Sequence, residues 1–134
     1  METIRTKYLG NLRTEATHVQ SGMTITTDAP LDNQGLGQAF SPTDLLCASL
    51  GSCLLTIMGI AARTHRIKIE GTELKITKIM AANPRRVAEI VIELDFTENN
   101  YSDKEKMLLE NAARTCPVAL SLNPELFQTL KFNW

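Results

Sequence analysis

Residues 41–65 read SPTDLLCASLGSCLLTIMGIAARTH and contain the most apolar part of the chain. Ser41 is a favoured N-cap residue, and Pro42 suits the first position of a helix. Asp44 stands where the acidic partner of a capping box is found. The pattern predicts a helix from Pro42 to about Thr64. Because this helix is apolar nearly all round, we expect it to be central and buried rather than to cross a membrane.

The residues before this helix have the pattern of strands. Residues 3–9, 12–19 and 23–27 are separated by short turn signals, of which Gly10-Asn11 is the clearest. We predict a meander of two or three antiparallel strands. Residues 28–40 are rich in glycine, proline and acidic residues and are predicted to form a loop, and loops of this length are often functional.

The residues after the helix predict two strands, a second helix and a final strand. Residues 72–80 and 86–96 alternate apolar and polar side chains, which is typical of a sheet with one covered face. Ser102 and Glu105 form a capping-box pattern for a helix that ends at about Thr115. A last strand is predicted from Leu126 to Phe132. The order β-β-β-α-β-β-α-β indicates an α+β fold in a single domain, residues 1–134.

Composition limits the function classes that fit the chain. It has 134 residues, a net charge of −1, 43% hydrophobic and 22% charged residues. There is no basic surplus to bind a phosphate backbone, so we expect no nucleic-acid partner and no membrane-surface role. The first ten residues lack an apolar signal core, so we expect a cytoplasmic protein.

The three cysteines are Cys47, Cys53 and Cys116. An odd number in a chain expected to stay in the cytoplasm argues against a structural disulfide framework. Such thiols are either inert core residues or redox groups, and each of the three could be inert, since free cysteine is often buried. Cys47 keeps the inert interpretation, because six residues turn it about 120° from Cys53 on a helix.

Cys53 and Cys116 stand at unusual places for packed thiols. Cys53 has the small neighbours Gly51 and Ser52, and Cys116 precedes Pro117. The proline should end or kink the second helix at Cys116, and a short helical piece could begin at Pro117. A peroxidatic cysteine needs a reachable thiolate and a second thiol to capture its sulfenic acid. Cys53 is too far from its helix N-terminus for the dipole to hold the thiolate, so an arginine is the simplest support.

Two motifs resemble those of the OsmC/Ohr family of osmotically inducible and organic hydroperoxide resistance proteins. The first is the run from Ser41 to Leu46 with the later Ala48, Gly51 and Cys53, and the second is Thr115-Cys116-Pro117-Val118. The resemblance covers essentially the whole chain. It implies an OsmC-like fold in which antiparallel sheets pack around a long central helix and a second helix, in a tightly intertwined homodimer.

The resemblance also implies a chemistry. The Ohr branch of the family reduces organic hydroperoxides with dithiols such as lipoyl groups, without a bound cofactor. By that likeness, Cys53 matches the peroxidatic cysteine and Cys116 the resolving one. Leu36 and Phe40 of the long loop could then line an apolar cleft that favours alkyl hydroperoxides.

Some positions depart from the Ohr pattern. Thr43 stands where Ohr proteins have a glutamate that pairs with an activating arginine. Asp44 could supply that carboxylate or simply cap the helix, and we favour the cap. Arg13 is the best match for the arginine, although an ordinary surface arginine on a strand is the alternative. These departures suggest the OsmC-like branch rather than Ohr itself.

The sequence is also compatible with functions other than a peroxidase. The same fold could bind a small apolar ligand without catalysis, or exchange disulfides slowly with protein thiols. A metal site is not expected, because Cys47 and Cys53 are wrongly spaced and His18 and His65 have no companions in sequence. A carboxylate–arginine pair that supports Cys53 would favour the peroxidase over the ligand-binding protein.

Overall fold

The computed structural model describes residues 1–134. The N-terminal part of the chain forms a three-stranded antiparallel sheet. Its strands are β1 (Ile4–Gly10), β2 (Arg13–His18) and β3 (Thr24–Asp28), in the order β1-β2-β3. Asn11 and Leu12 both have positive φ, 54° and 60°, as the tight turn between two twisted strands requires. The predicted meander is confirmed.

The loop after β3 is held closed by its own backbone. The amide of Asp28 donates to the carbonyl of Phe40 at 3.1 Å, and Gly37 N donates to Ala29 O at 3.2 Å. A short 3-10 turn, Leu31–Asn33, lies between them. A Cβ at Gly35 would stand 1.7 Å from Ala29 O, so only glycine allows this close approach.

Helix α1 (Pro42–His65) follows the loop and begins with a reciprocal capping box. Asp44 N donates to Ser41 Oγ at 3.0 Å, and Ser41 N donates to Asp44 Oδ2 at 3.0 Å. The two bonds satisfy amides that no helical carbonyl reaches. The predicted helix and its cap are confirmed, and Asp44 is the capping carboxylate.

A second sheet has the strands β4 (Glu73–Ala81), β5 (Arg86–Asp95) and β6 (Phe127–Asn133). β4 and β5 pair antiparallel, whereas β5 and β6 pair parallel. The sheet is therefore mixed, and the expectation of purely antiparallel sheets was wrong at this edge. The chain runs through two further helices before it returns, and a crossover of that kind allows parallel pairing.

Those helices are α2 (Asp103–Arg114) and α3 (Pro117–Ser121). Ser102 and Glu105 make both bonds of the predicted capping box at the start of α2. Cys116 is the N-cap of α3, with extended backbone angles. The break predicted before Pro117 is confirmed, and the short helical piece begins there.

Two compact units divide the chain, Met1–Leu46 and Cys47–Trp134. In the second unit, α1 approaches β4 closely at Gly51, where an added Cβ would stand 2.6 Å from Ile76 Cδ1 and 3.2 Å from Leu74 Cδ1. The buried side chains of this unit come from α1, β5 and α2 and include Leu50, Leu54, Met58, Ile90, Ile92, Leu94, Leu109 and Ala113.

Helix α1 is not buried all round, contrary to expectation. Its buried residues recur every three or four positions, and the opposite face is exposed at Ser49, Ser52, Thr56, Ile60 and Arg63. Ile60 alone is 56% exposed. Packing on one side of the helix leaves the other side uncovered. α1 is long and apolar enough to cross a membrane, but core helices of soluble proteins share those properties, so this is weak evidence.

Candidate active site

The side chains of Cys53 and Cys116 lie next to each other, close enough for the two thiols to interact. Cys53 lies on α1 and is partly exposed, whereas Cys116 is 0% exposed. No disulfide joins them. The structure therefore brings together the two cysteines that the sequence analysis paired, with one residue partly exposed and the other enclosed.

Local backbone geometry fixes the position of Cys116. The pyrrolidine ring of Pro117 suits the first position of α3 and keeps Cys116 in the extended region, at φ −71° and ψ 148°. The sulfur of Cys116 accepts a hydrogen bond from Ala119 N at 3.4 Å, and its carbonyl accepts one from Leu120 N at 3.1 Å. Cys116 thus replaces the serine or aspartate usual at an N-cap.

The surroundings of Cys116 favour its protonated form. Burial raises the pKa of the Cys116 thiol, and the neighbouring Cys53 side chain raises it further, against the opposing effect of the Ala119 and Val118 amides. The two raising effects stabilise the neutral form of the thiol.

Cys47 is also buried on α1, at 4% exposure. It stands six residues before Cys53, which corresponds to about 9 Å along a helix. Its enclosure is what the inert interpretation expects.

A second polar cluster lies in the unit Met1–Leu46. Arg13 Nε donates to Asp28 Oδ1 at 2.6 Å, and Arg13 Nη2 donates to Asp28 Oδ2 at 3.0 Å. Gln38 completes the cluster, since its backbone N donates to Asp28 Oδ2 at 3.0 Å and its Oε1 accepts from Arg13 Nη2 at 2.9 Å. The Asp28 side chain is 1% exposed and that of Arg13 33%.

Both members of the ion pair are held in their charged forms. The hydrogen bond from Arg13 lowers the pKa of Asp28, with further lowering from the Gln38 amide, while burial opposes it. The same bond raises the pKa of Arg13. Bidentate contacts of this kind combine charge with a fixed orientation. The cluster therefore contains one ionised carboxylate that is bound through both oxygens to one guanidinium.

Comparison of the sequence with protein-family models identifies the family of this chain. The family model described as OsmC-like protein matches residues 35–131. The chain belongs to the OsmC-like protein family. No curated protein is significantly similar to it in sequence.

Solved structures share the fold of this OsmC-like protein over nearly its whole length. A protein from Psychrobacter arcticus 273-4, described as a candidate osmotic stress induced and detoxification response protein, is 52% identical, with a TM-score of 0.95. The match covers 99% of this chain and 96% of that one.

Two structures of organic hydroperoxide resistance proteins are more distant. OsmC from Legionella pneumophila is 17% identical over 100% of this chain and 98% of its own, with a TM-score of 0.77. OhrB of Bacillus subtilis is 16% identical over 98% of both chains, with a TM-score of 0.68. At these identities the likeness shows the shared fold.

The predicted site residues of the OsmC-like chain fall into two places. Cys53 and Cys116 meet in the unit Cys47–Trp134, while Arg13 and Asp44 belong to the unit Met1–Leu46. The catalytic roles of all four stay predictions. Leu36 and Phe40 are exposed side chains of the loop, and their contribution to a substrate cleft also stays a prediction.

Sequence reasoning missed Asp28 and Gln38. Asp28 looked like the first residue of a loop, but it ends β3 directly opposite Arg13 in the strand register. Side chains of directly opposite residues lie on the same face of a sheet, so the hairpin register would have indicated the pair. No sequence signal points to Gln38, because the loop backbone brings it to Asp28.

One cleft lies beside the exposed face of α1, within the second unit. It has a volume of about 390 Å³ and is lined by Thr56, Gly59, Ile60, Arg63, Ile67 and Glu70 among others. The lining is mainly apolar, and it includes one residue of each charge, Arg63 and Glu70. No three His, Cys, Asp or Glu side chains are grouped so that they could hold a metal ion.

Proposed function

We propose that this OsmC-like protein is a thiol-dependent peroxidase that reduces organic hydroperoxides. The observation that carries the proposal is the contact between a partly exposed Cys53 and a buried Cys116. A peroxide needs a sulfur that it can reach, and the resulting sulfenic acid needs a second thiol close by and shielded from other oxidants. A partly exposed Cys53 beside an enclosed Cys116 supports both requirements.

The first half of the reaction oxidises the protein. The Cys53 thiolate attacks the distal oxygen of the hydroperoxide, the O–O bond breaks, and the alkoxide takes a proton and leaves as an alcohol. Cys53 becomes a sulfenic acid. The Cys116 sulfur then attacks the Cys53 sulfur, hydroxide leaves and is protonated to water, and a Cys53–Cys116 disulfide forms.

The second half returns the protein to its dithiol state. One thiolate of an external dithiol attacks the disulfide, and its second thiol resolves the mixed disulfide by exchange. The dithiol loses two electrons when it becomes a disulfide, and the peroxide accepted the same number. We propose a small dithiol of the lipoyl type as the reductant, with no bound cofactor. A homodimer in the cytoplasm is part of the same proposal.

Arg13 supplies, in this proposal, the positive charge that holds the Cys53 thiolate. Arginine stays charged at all physiological pH values, and a nearby cation favours the charged form of a thiol. Asp44 is engaged in the cap of α1, and any additional part in catalysis stays a prediction.

Turnover of an alkyl hydroperoxide by the pure protein tests the proposal. The assay uses cumene hydroperoxide with a lipoyl-type dithiol and compares the wild type with Cys53→Ser, Cys116→Ser and Cys47→Ser. We expect turnover to vanish in Cys53→Ser and to persist in Cys47→Ser. Cys116→Ser should consume about one equivalent of peroxide rapidly and then slow, because its sulfenic acid lacks the second thiol.

Equal turnover in the wild type and Cys53→Ser would exclude Cys53 as the peroxidatic thiol and overturn the proposed mechanism. Absence of turnover in the wild type, with all three thiols slow to oxidise, would instead favour an OsmC-like protein that binds a small apolar ligand. Reduction of protein disulfides without peroxide consumption would identify a thiol–disulfide exchanger.

A further inference from the structure

Helix α3 carries Cys116 at its N-cap but is too short to fix that position by itself. It spans five residues, Pro117–Ser121, and none of them is buried. A helix of this length is not stable alone, because too few hydrogen bonds offset the cost of its first turn. Two hydrogen bonds join α3 to Cys116, from Ala119 N to Sγ at 3.4 Å and from Leu120 N to the carbonyl at 3.1 Å. The place of the Cys116 sulfur therefore depends on what holds α3 to the rest of the protein.

A side chain of β6 provides such a contact within the unit Cys47–Trp134. Gln128 Nε2 donates to the carbonyl of Ala119 at 3.0 Å. That carbonyl is one of the last four of the helix, which have no partner inside it. Ala119 thus donates through its amide to the Cys116 sulfur and accepts through its carbonyl from Gln128. Gln128 joins α3 to the sheet at the residue that contacts the sulfur.

Gln128 stands on a face of β6 that otherwise carries apolar residues. It pairs with Ile90 of β5, which is 0% exposed. Leu130 and Phe132 follow on the same face, since every second side chain of a strand points the same way. A polar amide at such a place costs free energy unless it is hydrogen-bonded. The bond to Ala119 meets this requirement and explains why the amide is tolerated among apolar side chains.

Disulfide closure requires both the right direction and the right ionisation of the Cys116 sulfur, because the attacking group is a thiolate. Burial raises the pKa of Cys116, while the amides of Ala119 and Val118 lower it. A displaced α3 would turn the sulfur away from its reacting partner and weaken the Ala119 bond that favours the thiolate. Both properties of Cys116 therefore depend on the position of α3.

We propose that Gln128 is a positioning residue for disulfide closure, which holds α3 so that the Cys116 sulfur stays in place beside Cys53. The inference rests on the proposed function, in which Cys116 closes the disulfide. Gln128 acts through Ala119 rather than on either sulfur. Its loss should slow the attack by Cys116 and leave the reaction of Cys53 with a reagent from solvent unchanged.

An aromatic disulfide reagent, added at one equivalent, separates the two steps without any peroxide. In a Cys47→Ser protein, the Cys53 thiolate attacks the reagent, a first aryl thiolate leaves and a mixed disulfide remains. The Cys116 thiolate then attacks the Cys53 sulfur, a Cys53–Cys116 disulfide forms and a second aryl thiolate leaves. Stopped-flow absorbance records the two releases, and adding Cys116→Ser should abolish the second one, which assigns it.

Gln128→Met is the informative variant, because methionine keeps the length and unbranched shape of glutamine but lacks the donor. We expect its second release to be about tenfold slower at neutral pH, within the range that a small misplacement of a reacting group produces. The first release should be unchanged. Gln128→Glu, which keeps the shape but has no donor when ionised, should show the same split between the two steps.

Thr129→Val is the matched control for a side-chain hydrogen bond made by β6. Thr129 is the next residue of the strand, on the opposite face, and its hydroxyl donates to Glu89 Oε2 at 2.6 Å. The variant loses this bond but leaves the contact between Gln128 and Ala119 in place. It should change neither release.

A second release at the reference rate in Gln128→Met and Gln128→Glu would overturn the inference. Equal slowing of both releases in these variants, or the same loss in Thr129→Val, would indicate general damage to the fold and would overturn it as well. No peroxide enters the measurement, so the turnover assay decides separately whether the protein is a peroxidase.

Discussion

The Cys116 side chain lies next to that of Cys53, although the two residues belong to helices in distant parts of the sequence. α1 carries Cys53, and the break between α2 and α3 carries Cys116. The contact is asymmetric, because Cys53 is partly exposed and Cys116 is enclosed. The two thiols should therefore differ in reactivity towards any reagent that comes from solvent.

The first prediction concerns that difference. In a Cys47→Ser background, the Cys116→Ser protein retains only Cys53, and the Cys53→Ser protein retains only Cys116. We expect Cys53 to react with an aromatic disulfide reagent at least about tenfold faster at neutral pH, because Cys116 is enclosed and its thiolate fraction is low. Stopped-flow absorbance of the released thiolate gives both rates.

Equal rates would show that the enclosure of Cys116 does not limit access. The partly exposed position of Cys53 would then no longer distinguish it as the thiol that a peroxide reaches first.

The second prediction concerns acid stability. The pKa of Asp28 is lowered in the folded protein by the hydrogen bond from Arg13. The stability that this bond contributes is therefore fully present above the pKa of an unfolded aspartate, about 3.9, and is lost as the pH falls through the lower folded value. The free energy of unfolding of the wild type should exceed that of Asp28→Asn at neutral pH, and the gap should narrow below about pH 4.

Urea unfolding at a series of pH values measures this gap. A gap of constant size from neutral pH to strong acid would mean that the Asp28 charge does not stabilise the fold, and that the substitution acts through shape alone.

The third prediction concerns the loop that carries Gln38. In Gly35→Ala the new Cβ would meet the backbone of Ala29, at 1.7 Å from its oxygen and 2.1 Å from its carbonyl carbon. The backbone must move, because no side-chain rotation relieves this clash. We expect a loss of about 1–3 kcal/mol in the free energy of unfolding, as for other overpacked sites.

Asn33→Ala is the control for the loop. The Asn33 side chain is exposed, and its removal leaves the backbone hydrogen bond from Asn33 N to Pro30 O intact. It should change the stability by less than about 0.5 kcal/mol. A stable Gly35→Ala protein would show that the loop closure is not required for the fold.

Much of the fold could be predicted because its signals are local. The capping boxes at Ser41 and Ser102 depend on residues three positions apart, and Pro117 acts on its own neighbours. The meeting of Cys53 and Cys116 is not local, and the sequence suggested it only through the chemistry that two thiols could share and through the resemblance of two motifs to the OsmC/Ohr family.

Other features could not be predicted because they depend on contacts across the chain. β6 pairs parallel to β5 because the chain passes through α2 and α3 before it returns to the sheet. One face of α1 is exposed because the rest of the chain packs against its other face. The ion pair between Asp28 and Arg13 depends on strand register, and the hydrogen bonds of Gln38 to this pair depend on loop closure. Residue type and spacing carry little information about strand register or loop closure.

Oxidation of the reduced protein by about one equivalent of an alkyl hydroperoxide, followed by peptide mass mapping, tests the central claim most directly. A Cys47→Ser variant simplifies the map, since trypsin leaves residues 47 and 53 on one peptide. The account predicts a disulfide between Cys53 and Cys116 within the dead time of hand mixing, and a trapped sulfenic acid on Cys53 in Cys116→Ser. A reduced Cys53 after complete consumption of the peroxide, or oxidation of Cys116 in a Cys53→Ser protein at the wild-type rate, would contradict it.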